Sequence, residues 1–141
     1  MRDIEGIRKL LPLRYPYLMI DRVIEEGEGR VVAIKNVTID EPFFQGHFPE
    51  PLQAVMPGTL ILEAMAQTAA FLAPEKRQGG YLVGIEAARF RRKVVPGDRL
   101  RLEARLLRRK GGLLRAKVDA TVEGEPVASA EISLFVSAEK A

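Results

Sequence analysis

The sequence predicts an α+β domain in which one antiparallel β-sheet wraps around one long central helix. Three observations carry that prediction. Successive runs between Leu100 and Val136 alternate apolar and polar residues with a period of two, the pattern of strands that turn one face to a core. Thr59 to Ala73 is a run of strong helix formers, apolar around nearly its whole circumference, which marks a helix buried on most sides. Two β-branched segments nearer the N-terminus add a hairpin. An apolar-faced sheet and an apolar helix each need a partner, and wrapping one around the other satisfies both.

In chain order, Ile4 to Leu10 reads as a short amphipathic helix, and Pro12 and Pro16 make the following arm irregular as far as Tyr17. Leu18 to Ile24 and Val31 to Val37 are the hairpin strands, with Gly27 and Gly29 permitting the positive φ of their turn. Pro42, Pro49, Pro51 and Pro57 exclude a strand or long helix from Glu41 to Gly58. That segment is nonetheless apolar, so it is expected to line something. Pro57 suits the first turn of the central helix and Pro74 stops it. Thr59, Glu63 and Gln67 fall at i, i+4 and i+8, a narrow polar stripe that the helix's own subunit is not expected to satisfy. A turn at Gly79-Gly80 leads into a strand from Tyr81 to Phe90. Pro96-Gly97-Asp98 then opens the meander, whose hairpins turn at Gly111-Gly112 and at Glu123 to Pro126.

The 141 residues, 47% hydrophobic and 29% charged, suit a single domain over 1–141. No apolar run is long enough to span a membrane, and the N-terminus lacks a signal peptide's apolar core, so a cytoplasmic protein is expected. The absence of Cys excludes disulfides, zinc ribbons, iron–sulfur clusters and thiol nucleophiles; a single His excludes His-rich metal sites. Basic residues crowd one stretch from Arg89 to Lys110, which points to an acidic partner. With three Tyr, six Phe, no Trp and no helix-turn-helix or RNA-binding signature, that partner is not read as nucleic acid.

His47 stands in the apolar segment just before the helix and Glu63 stands on it. Alone, a histidine is most often structural and a part-buried carboxylate most often pairs with an arginine. Together they form the natural pair for general acid/base work, because one titrates near neutrality and apolar surroundings favour the protonated form of a carboxyl group. Gly58 adds a backbone N–H in the first helical turn, where donors lack intrahelical partners and can hold a developing oxyanion; the plainer alternative is an ordinary Pro-Gly turn. No Gly-x-Ser-x-Gly elbow, Walker loop or Rossmann glycine pattern is present, and Ser129, Ser133 and Ser137 read as outward-facing strand residues.

Leu11-Pro12-Leu13-Arg14-Tyr15-Pro16, Asp21-Arg22-Val23, Gly46-His47-Phe48-Pro49, Met56-Pro57-Gly58, Glu63-Ala64-Met65-Ala66-Gln67 and the stretch from Phe90 to Asp98 together resemble the FabZ-type 3-hydroxyacyl-[acyl-carrier-protein] dehydratases. The resemblance spans nearly the whole chain. Glu63, where the related FabA type has Asp, places it on the FabZ side. It implies a hotdog fold and a homodimer, often a trimer of dimers, with each site at the dimer interface. It implies His47 as base, Glu63 of the partner subunit as acid, and Gly58 as holder of the thioester carbonyl. No cofactor is implied. Phe44, Phe48, Met56 and Met65 become candidates for an acyl tunnel and Tyr81 for its gate, while Arg91, Arg92 and Lys93 would receive the acidic acyl carrier protein. Three departures stand out: Leu13 replaces a common His, the segment from Glu50 to Val55 is about two residues longer than usual, and Lys93 replaces a common Pro. The reaction implied is loss of water from a (3R)-3-hydroxyacyl thioester to give the trans-2-enoyl thioester in bacterial type II fatty acid synthesis. A hotdog thioesterase, an enoyl-CoA hydratase and a non-catalytic acyl-binding module are the alternatives.

Overall fold

The computed structural model describes residues 1–73 and 80–136. Pro74, Gly79 and Ser137, to which the sequence assigns a helix stop, part of a turn and a surface position, lie outside them. Helix α1 (Ile4–Leu10) begins at Asp3, whose carboxylate accepts from the Gly6 N–H, and turns Ile7 and Leu10 into the core. Strands β1 (Arg22–Gly27) and β2 (Arg30–Asn36) form the first hairpin, with Gly29 at φ 72°. A single 3-10 turn, Pro42–Gln45, interrupts the proline-rich segment. Helix α2 (Gly58–Ala70) follows, then β3 (Gly80–Phe90), β4 (Arg99–Lys110), β5 (Leu113–Val122) and β6 (Glu125–Val136).

All neighbouring strands pair antiparallel in one six-stranded sheet of order β1-β2-β4-β5-β6-β3. The alternation read in the sequence is the burial pattern observed: Leu100, Leu102, Ala104, Leu114, Ala116, Val118, Ala130 and Ile132 face inward, all within one per cent of full burial. Helix α2 lies in the curve of this face and packs against every strand except β1, as the α+β reading expects. Among the described residues no helix is long and apolar enough to cross a membrane.

Of the expected boundaries that move, two have a visible cause. The first strand starts at Arg22 rather than Leu18, because the Met19 N–H is taken by the Gln67 side chain instead of a neighbouring strand. Helix α2 ends at Ala70 rather than Ala73. Phe71, Leu72 and Ala73 tighten to bonds three residues back, and the Phe71 ring turns into the core.

The two sheet edges differ. Arg2 exchanges both backbone hydrogen bonds with Val23 and so covers part of the β1 edge. Strand β3 carries exposed Tyr81, Leu82, Val83 and Ile85 along the other. On the outer face the basic stretch is less free than the sequence suggests. Arg101 and Arg105 lie within ion-pair reach of Glu103, and Arg30 bridges Glu103 and Glu25. Hydrogen bonding from Arg30 holds the Glu25 carboxyl below its ordinary value.

Candidate active site

His47 is positioned by backbone on both sides. Ahead of it, the Gly46 and His47 N–H groups both return to the Phe43 carbonyl, closing the 3-10 turn. Behind it, the ring Nδ1 lies 2.6 Å from the Val55 carbonyl oxygen. A carbonyl only accepts, so Nδ1 carries a proton, and of the two neutral tautomers the contact selects the one whose lone pair is on Nε2. The segment from Glu50 to Val55 thus supplies the group that fixes the tautomer. Phe48 stacks on the imidazole, with centroids 4.6 Å apart and planes within 7°. It does so with φ at 58°, a conformation a side-chain-bearing residue seldom adopts, so the surrounding contacts must hold it.

His47 opens into a cavity of 440 Å³ that it shares with Val55, Met56, Gly58, Ile61 and the segment 90–94. Gly58 is the first residue of α2, so its N–H is a donor with no intrahelical acceptor at the positive end of the helix. A Cβ on Gly58 would sit 3.1 Å from the Phe90 ring, so glycine is what lets ring and helix end approach. The Met56 N–H bonds to the Val94 carbonyl at 2.8 Å and ties the helix entrance to segment 90–94. Arg91, Arg92 and Lys93 make the cavity's cationic rim. Arg92 also lies near Asp98 (3.8 Å) and Glu125 (3.7 Å).

Glu63 opens elsewhere, into a smaller cavity of 150 Å³ lined by Leu11, Leu13, Ala66, Ala70, Leu82 and Leu134 among others. Gln67 orients it. The Gln67 Oε1 accepts from the Met19 N–H at 2.8 Å, and its Nε2 donates to the Tyr17 carbonyl at 2.7 Å and to Glu63 Oε2 at 2.8 Å. The polar stripe on α2 is therefore met in part by its own chain, contrary to the sequence expectation, because the arm at Tyr17 to Met19 folds back over the helix. The spacing of Gln67 four residues after Glu63 was the signal for this contact. The Val55 carbonyl, a backbone group, left none.

One protomer thus brings His47, Gly58, Met56 and the Arg91–Lys93 rim together and leaves Glu63 in a separate cavity. Phe44 and Met65 are core side chains. Tyr81 lies opposite Phe135 on the outer face of the sheet and is 70% exposed. Among the described residues no group of three or more His, Asp or Glu side chains is placed to hold a metal ion.

The FabA-like domain model matches residues 11–131, and the chain belongs to that family. Its relatives narrow the assignment. A 3-hydroxyacyl-[acyl-carrier-protein] dehydratase FabZ of Listeria monocytogenes is 53% identical over 142 aligned residues, covering 97% of each chain. Proteins of the same name from Anaeromyxobacter sp. (strain K) and Oceanobacillus iheyensis are 56% and 48% identical, covering 96% of this chain and 90% and 99% of theirs. Within the family the chain is a member of these dehydratases. Among solved structures, the dehydratase heterocomplex ApeI:P from Xenorhabdus doucetiae aligns with a TM-score of 0.78 at 18% identity, over 93% of this chain and 90% of that one. Cj0977 of Campylobacter jejuni aligns at 0.72 and 20% identity, over 97% and 92%. The fold is the hotdog fold.

Proposed function

We propose that the chain removes water from a (3R)-3-hydroxyacyl group held as a thioester on acyl carrier protein, giving the trans-2-enoyl thioester in type II fatty acid synthesis. The observation that carries this is the tautomer of His47, fixed beside the N–H of Gly58. Elimination next to a thioester needs a base for the α-hydrogen and a donor for the carbonyl oxygen on which charge develops. His47 Nε2 takes the proton, and the Gly58 N–H stabilises the enolate-like oxygen. Glu63 of the partner subunit, acting as acid, gives a proton to the β-hydroxyl, which leaves as water. The proton gained by His47 and the one lost by the carboxyl balance. The thioester itself acidifies the α-hydrogen, so no cofactor takes part.

Two features support a shared site. His47 and Glu63 open into different cavities of one protomer, and among the described residues β3 is an edge strand of the sheet, with Val83 57% exposed. Pairing β3 with its copy covers that edge. The resemblance extends this homodimer to a trimer of dimers. The carrier docks on the rim of Arg91, Arg92 and Lys93, and long-range attraction speeds the encounter. In this reading Phe48, stacked on His47, and Met56, which lines its cavity, border the entry of the acyl chain, the core side chains Phe44 and Met65 stand behind them, and the acyl tail extends along Ala66, Ala70 and Leu82 of the second cavity. The reading places the enzyme in the cytoplasm with its carrier.

The test is incubation with a 3-hydroxyacyl carrier protein while following conjugated product and free thiol. Conjugated product without thiol release is expected. Thiol without alkene would make the chain a thioesterase, turnover confined to coenzyme A esters a hydratase, and binding without turnover an acyl-binding module.

A further inference from the structure

Lys35 is the one buried charged residue among those described, at 4% exposure. It follows Val31 and Ala33 at alternate positions on β2 and stands opposite Leu100, so its side chain enters on the inner face of the sheet. There its Nζ donates to Glu41 Oε2 at 2.9 Å, with the two side chains 6% and 16% exposed. Glu41 is the residue on which the 3-10 turn Pro42–Gln45 starts. Its carbonyl accepts from the Phe44 N–H and its own N–H bonds to the Thr38 carbonyl. The turn leads directly to Gly46 and His47, which bond back to Phe43. One largely buried ion pair, its lysine end inside the core and its carboxylate end partly exposed, therefore ties the segment carrying His47 to the sheet.

Such a pair is a poor way to gain stability. Removing two charges from water offsets most of their attraction, and apolar residues of similar volume serve a core as well or better. What the pair does supply is a defined geometry, because both partners must meet at hydrogen-bond distance. We propose that Lys35 is a positioning residue for the dehydration: through Glu41 it sets the 3-10 turn and so aims His47 Nε2 at the substrate's α-carbon. This rests on His47 being the base.

His47 is the only histidine of the chain, so the imidazole Cε1–H signal in a proton NMR spectrum of the intact oligomer reports on that ring alone. The double variant Lys35→Met/Glu41→Gln removes both charges at nearly constant volume. Its thermal midpoint is expected to hold or rise, as for other buried pairs replaced by neutral groups. Its kcat should fall about tenfold to a hundredfold with little change in KM, the scale of a misplacement of about an ångström. The His47 signal, expected as one line in the parent, should broaden or split. A kcat within about twofold of the parent, with the line unchanged, would overturn the proposal, as would a loss of stability alone. If the double variant does not fold, Glu41→Asp keeps both charges and draws the turn towards Lys35 by one methylene. It too should lower kcat and move the line, and an unchanged line with unchanged kcat again rejects the idea. The line needs no substrate, so a parent protein that turns over no hydroxyacyl carrier would reject the reaction while the spectra still decide the positioning.

Discussion

Glu63 is where a structural carboxylate and a catalytic one can be told apart. Among the described residues its hydrogen-bond partner is the neutral amide of Gln67, not an arginine, so the contact orients the carboxyl without forming an ion pair. Glu63→Gln keeps the shape and can still meet Gln67, yet it cannot deliver a proton. Dehydration should drop by roughly two to four orders of magnitude, the usual worth of one positioned acid/base group, with the oligomer intact by chromatography. Turnover near the parent's would make Glu63 structural. Gln67→Leu asks a different question, because it strips the Met19 N–H and Tyr17 carbonyl of their partner as well as freeing Glu63. Leaving the buried Met19 N–H unpaired costs about 1–3 kcal/mol, and the part-buried Tyr17 carbonyl less because water reaches it, so the denaturant midpoint should fall along with kcat. A midpoint unchanged from the parent would mean that water replaces the amide at both groups.

At the level of elements, the sequence was informative wherever burial follows a local period. The alternation from Leu100 to Val136 and the all-round apolar helix each report their own surroundings, so β4, β5, β6 and α2 could be read directly. What could not be read depends on residues distant in the chain. Leu18 to Asp21 looks like strand, but its Met19 N–H goes to Gln67, 48 residues away, while only the Asp21 N–H reaches β2, at the Ile34 carbonyl, and the buried Lys35 gives no sign that Glu41 awaits it. Part of the basic stretch is used within the sheet, since the acidic partners of Arg101 and Arg105 come from neighbouring positions and strands. Those exposed pairs act weakly. Glu25 contributes its share only above the ordinary carboxylate range and loses it as pH falls through its lowered value. The strand β3 makes the sharper prediction. It is an apolar edge in the protomer, so Val83→Lys, which places a charge where the copy should pair, is expected to yield monomers by sedimentation and to abolish dehydration with the fold retained by circular dichroism. An undiminished dimer would move the interface to another face.

The whole molecule offers a test that no single variant provides, because His47 and Glu63 open into different cavities of one protomer. If each site takes its base from one subunit and its acid from the other, His47→Ala and Glu63→Ala proteins are each nearly inactive, yet a dimer containing one of each has one site lacking both groups and one site intact. Unfolding and refolding an equal mixture makes about half of the dimers mixed, each with one working site of two, so activity should return to about a quarter of the parent's. Were both residues to serve a site within one subunit, every site in the mixture would lack one of them and mixing would restore nothing. The assay compares the dehydration rate of the co-refolded variants with each refolded alone, and ion-exchange separation of charge-tagged subunits confirms that mixed dimers form. Mixed dimers without recovered activity would place both residues in a single-subunit site, and the separate cavities would then need a rearrangement of the segment from Glu41 to Gly58 to bring base and acid together.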